Sequence, residues 1–179
     1  MTMRAPAMFA ILLLAAGTVS AQGLARDEAL TAVFPGAAIE RERVFLTDTQ
    51  QADAAARSGD VVPSALVARY VATRGGRVIG RAYVDTHVVR TKRESLLIAL
   101  NAAGSLQRVD VTAFLEPTEF KPSEAWLRQY VDRPLNDELT LDRAIRPIAG
   151  ATLTTRAANK AIRRVLAIDA VLNEGEAGR

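Results

Sequence analysis

The sequence predicts an α+β fold, an antiparallel sheet of about four strands packed by helices and ending in a long C-terminal helix. Three observations lead there. Residues 66–115 form four alternating or apolar runs separated by turn signals. From Thr152 to Leu172 apolar residues recur at helical spacing. A chain of 179 residues is long enough for one domain with a proper core and short for two.

In chain order, Arg26 to Phe34 has helical spacing, with Leu30 and Phe34 on one side and Pro35-Gly36 as the stop. Ile39 to Leu46 reads as a short strand. Thr47-Asp48 reads as the cap of an alanine-rich helix, Gln50 to Arg57, stopped by Ser58-Gly59. Leu66 to Thr73 and Arg77 to Asp85 make a hairpin about Gly75-Gly76, with Val78, Gly80, Ala82 and Val84 on one face. Gly80 is read with the hairpin glycines. A second hairpin joins Ser95 to Leu100 with Leu106 to Leu115. Thr86 to Glu94, polar and basic, is expected to be a loop reaching over a sheet edge or a ligand. Pro122-Ser123 opens a helix with Trp126, Leu127 and Tyr130. Leu139 to Ile148 carries no decisive period. In the last helix Ala158, Ile162, Val165, Ile168 and Leu172 face the core, and Arg156, Lys160, Arg163 and Arg164 form a basic outer side.

Arg4, the apolar run Met8 to Ala16 and the small residues ending at Ala21 fit a cleavable signal peptide, so the expected organisation is signal 1–21, one domain 22–172 and a disordered tail 173–179. The apolar run is shorter than the roughly 18 to 20 residues that cross a bilayer. Export to the periplasm follows as the expectation. With no cysteine, thiolate metal sites, c-type haem attachment, Fe–S clusters and a cysteine nucleophile are excluded. One histidine argues against a multi-histidine metal site. Lys and Arg number 23 against 20 Asp and Glu, with no basic run and no interleaved aromatics, which argues against nucleic acid as a partner.

The densest chemical signal is Ala149-Gly150-Ala151-Thr152-Leu153-Thr154-Thr155, a small-residue turn rich in hydroxyls that opens into the last helix. A helix N-terminus presents unpartnered N–H groups and a partial positive charge, a favourable place for phosphate. Taken alone, these residues also suit a helix cap at Thr152 or Thr154.

The turn resembles the Gly-Ala-Thr signature of the FMN-binding domain family, the periplasmic flavoprotein modules of Rnf and Na+-translocating NADH:quinone reductase complexes and related stand-alone proteins. Phe114-Leu115-Glu116-Pro117 and Ile162-Arg163-Arg164-Val165-Leu166 are similar to small members of that family. Arg146 and Ala149 stand where its signature often has Asp and Ser. The resemblance implies FMN joined through a phosphoester to Thr152, with Gly150, Ala151, Leu153, Thr154 and Thr155 around it. It also implies a periplasmic flavin transferase that draws FMN from FAD, and a membrane redox partner that is ferric-reductase-like or quinone-linked. His87 is a further candidate contact. Trp126, Tyr130 and Tyr83 are candidate ring walls, with core packing as the competing role. Two other readings remain: a periplasmic binding or assembly module of the same fold without covalent flavin, and a small hydrolase using His87 with Ser95 or Ser123. Glu116 and Glu119 suggest an acid/base pair or a solvated turn.

Overall fold

A computed structural model describes residues 17–177, with side chains from 25 to 176. Most of the expected signal peptide therefore lies outside the described residues. The backbone of its last five residues begins α1, Gly17–Val33. No helix among the described residues is long and apolar enough to cross a membrane.

The α+β class holds, and the sheet has five strands: β1 Ala38–Phe45, β2 Leu66–Arg74, β3 Arg77–Val88, β4 Arg93–Asn101 and β5 Leu106–Phe114. Each strand pairs antiparallel with the next in a meander. The expected short strand is thus a full edge strand, with Ala38 opposite Thr73 and Phe45 opposite Leu66. Between β1 and β2 lies α2, Asp48–Ser58, opened by a reciprocal cap between Thr47 and Gln50. After β5 come a short α3, Glu124–Leu127, capped by Ser123, and an irregular stretch leading to α4, Thr152–Ala177.

The sheet is covered on both faces. On one, Leu30 and Val33 of α1, with Phe34 just after it, pack with Tyr70, Ala72, Ala82, Leu97 and Ala99. On the other, α2, α3 and α4 enclose the larger core around Leu96, Ile98, Leu100, Ile162 and Val165. Gly80 is no turn residue: it lies inside β3, where an added Cβ would overlap the Phe34 ring and the Leu100 carbonyl oxygen. Its missing side chain lets α1 seat against the sheet.

Three further expectations are corrected. β3 and β4 extend through Val88 and from Arg93, leaving only a tight turn where a long loop is expected. The strand pairing of Thr86, His87 and Val88 with Ser95, Glu94 and Arg93 explains the difference. Arg163 and Arg164 are buried, not on an outer basic side. Arg163 donates to the carbonyls of Ser58, Asn136 and Leu139, and Arg164 to Asp85 and Asp60. The tail expected to be disordered from Asn173 continues as helix to Ala177. Glu174 pairs there with Arg57, and Glu176 with Arg69.

Candidate functional site

The Gly-Ala-Thr turn lines a cavity of about 500 Å³, within the ~300–1,000 Å³ span of small-molecule sites. Three segments build it: Val89–Thr91 at the β3–β4 turn, Glu116, Pro117 and Phe120 after β5, and Gly150–Thr154 at the start of α4.

Gly150 adopts φ +77 with open space around it, so the turn needs its backbone freedom and not its small volume. Ala151 N–H donates to the Ile148 carbonyl at 3.1 Å. Thr155, fully buried, latches the turn from inside: its Oγ1 donates to the Ala151 carbonyl at 2.8 Å and accepts from Ile148 N–H at 3.1 Å. Thr155 N–H also reaches the Ala151 carbonyl, at 3.0 Å. No acceptor among the described residues meets the N–H groups of Thr152, Leu153 or Thr154. Thr152 is exposed at the cavity, and its hydroxyl makes no hydrogen bond among those residues, so it does not serve as a cap. The residues that carry these three donors, the positive end of a 26-residue helix and the unbonded Thr152 hydroxyl all belong to the α4 segment of the cavity lining.

The opposite wall is held by Glu116. Its Oε1 accepts from the backbone N–H groups of Arg90, Thr91 and Lys92 at 3.1, 2.7 and 2.8 Å. The bonds from Thr91 and Lys92, followed by that from Arg90, hold this carboxyl below the usual glutamate range. Neither an acid/base pair nor a merely solvated turn describes Glu116: it ties the end of β5 to the β3–β4 turn.

The other sequence candidates lie elsewhere. Trp126, Tyr130 and Tyr83 belong to the core. Trp126 Nε1 donates to the Arg146 carbonyl at 2.7 Å, Tyr130 accepts from Asn159, and Tyr83 donates to Asp169. The aromatic side chain at the cavity is Phe120, half-buried. The sequence signal nearest to it is the Glu116-Pro117 pair. Thr155 is structural, whereas Gly150, Ala151, Thr152, Leu153 and Thr154 are brought together.

His87 stands on β3, outside the cavity lining, with both ring nitrogens occupied: Nδ1 lies 2.9 Å from Asp85 Oδ1 and Nε2 3.0 Å from Glu94 Oε2. Burial alone would lower its pKa, but the hydrogen bonds to Asp85 and then Glu94 carry it up to about 9. Arg164 extends this network from Asp85 to Asp60. Ser95 Oγ lies 2.8 Å from Thr86 Oγ1, and Ser123 Oγ caps α3. His87 is therefore paired with neither Ser95 nor Ser123, so the serine–histidine pair that a hydrolase reading needs is not formed by these residues. Among the described residues no group of three or more His, Asp and Glu side chains is placed to hold a metal.

No family model, curated protein or solved structure matches this chain.

Proposed function

We propose that the protein is a periplasmic electron-transfer flavoprotein carrying FMN covalently on Thr152. The observation that carries this reading is an exposed threonine hydroxyl at the cavity that, like the three N–H groups of Thr152, Leu153 and Thr154, has no hydrogen-bond partner among the described residues. Together with the resemblance of its turn to the Gly-Ala-Thr signature, this favours a phosphorylated ligand over a helix cap.

Attachment is a group transfer with FAD as donor. Thr152 Oγ1 forms the new bond to the flavin phosphate, the pyrophosphate bond of FAD breaks, AMP leaves, and the hydroxyl proton passes to the transferase or solvent. A periplasmic flavin transferase is therefore the maturation partner. The N–H groups of Thr152, Leu153 and Thr154 are the chain's own donors for the remaining phosphate oxygens. Phe120, Val89 and Pro117 supply apolar surface for a ring system. When bound, FMN supplies one-electron and two-electron redox chemistry. The chain itself binds and orients it and contributes no substrate chemistry. A membrane redox protein, ferric-reductase-like or quinone-linked, is the proposed exchange partner.

Co-expression with a flavin transferase, followed by denaturing electrophoresis, tests this. Flavin fluorescence that stays with the polypeptide and vanishes in Thr152→Ala supports the proposal. A colourless chain contradicts it and leaves a binding module with a non-covalent ligand.

A further inference from the structure

The cavity mouth carries an unbalanced charge. Arg90 lines it, Lys92 follows in the same turn, Lys121 adjoins Phe120, and Arg156 lies one helical turn beyond Thr152 on the same side of α4. All four are exposed, and none forms an ion pair among the described residues. The nearby acids are Glu116, which is engaged by the turn, and Glu119. Several other basic side chains are neutralised locally: Arg57, Arg69, Arg81 and Arg164 hold carboxylates, and Arg41 and Arg43 alternate with Glu40 and Glu42 along β1. The apolar side chains among the lining residues, exposed Leu153 and Pro117 with half-buried Val89 and Phe120, come from the same three segments as the cations.

We propose that this mouth is the docking surface for an acidic face of a protein redox partner, with the apolar side chains at its centre and the cations at its rim. The inference rests on reading the cavity as a flavin site, because exchange of electrons needs the partner at the mouth. Rim charges of one sign steer a complementary partner and set its salt dependence. A small apolar centre with a polar rim suits a transient complex. A lipid surface is the poorer fit. The apolar groups at the mouth are valine, proline, leucine and phenylalanine, without the tryptophan or tyrosine enriched at membrane interfaces, and the cations come from three separate segments rather than one amphipathic helix.

The test measures binding of the flavin-free full chain to poly-L-glutamate and to phosphatidylglycerol vesicles at low and physiological salt. Two variants, Arg90→Gln/Lys92→Gln and Lys121→Gln/Arg156→Gln, sample separate segments, and Arg41→Gln/Arg43→Gln is the control, with folding checked by thermal melting. Each mouth variant is expected to weaken poly-L-glutamate binding about five-fold or more and the control less than about two-fold. Equal weakening by the control would overturn the proposal, as would vesicle binding that is the tighter of the two and is lost in the mouth variants. Because flavin is absent from the assay, mouth-dependent binding alongside an unflavinylated Thr152 would overturn the flavin reading alone.

Discussion

Thr152 and Thr155 stand three residues apart at the start of α4 and have opposite environments. Thr152 is exposed and unbonded, while Thr155 is buried and bonded to both sides of the turn. Thr152→Ala is therefore expected to change the melting free energy by less than about 0.5 kcal/mol while abolishing flavin attachment. Thr155→Val would leave the Ile148 N–H without its acceptor, at a cost of about 1–3 kcal/mol, and loosen the turn, with Thr155→Ser restoring most of both. Thermal melts alongside flavin loading separate the two roles. The sequence marks the turn by its glycine, alanine and threonines, but it gives no sign of which hydroxyl is inward. It points equally to Trp126, Tyr130 and Tyr83 as ring walls, because apolar bulk in a sequence does not say which core it fills. Phe120 is hidden by its setting: it follows Pro117 in a 3₁₀ turn, where neither the strand nor the helix period operates.

At the level of elements, β3 explains most of what sequence reading misses. Its Gly80, Ala82 and Val84 face is legible and packs on α1. The alternate face, with Arg81, Tyr83, Asp85 and His87, has the composition of a solvent side, yet α4 covers it with complementary groups. Asp169 of α4 is 1% exposed and accepts from Arg81 Nε at 2.6 Å, Tyr83 at 2.7 Å and Asn173 at 2.8 Å. The polarity that reads as solvent exposure in β3 and in Arg163 and Arg164 is paired polarity across an interface, visible only when both partners are in place. Asp169→Ala strands a buried guanidinium and is expected to cost about 3–5 kcal/mol, read as a shift in the urea midpoint. Gly80→Ala forces a methyl against Phe34 and the Leu100 carbonyl and is expected to cost about 1–3 kcal/mol.

For the whole molecule, the class and the order of elements were legible because hairpin glycines, capping residues and the C-terminal helical period are local signals. The pairing of β1 at the sheet edge and the helical tail were less so, because long-range pairs secure them: β1 against β2, and Glu174 and Glu176 against Arg57 and Arg69. The ion network through His87 gives stability a pH signature. Its pKa is raised in the folded state to about 9 from 6.5, so its contribution is full below about 6.5 and is lost as pH rises through about 9, up to roughly 3 kcal/mol. Urea midpoints should fall across that window, and the fall should vanish in His87→Gln. The central claim, a phosphoester between FMN and Thr152, is tested most directly by fragment-ion mass spectrometry of the tryptic peptide spanning 144–156, taken from denatured protein co-expressed with a flavin transferase. The account predicts one FMN on Thr152, with Thr154 and Thr155 unmodified. FMN on either neighbour, or none retained after denaturation, would contradict it.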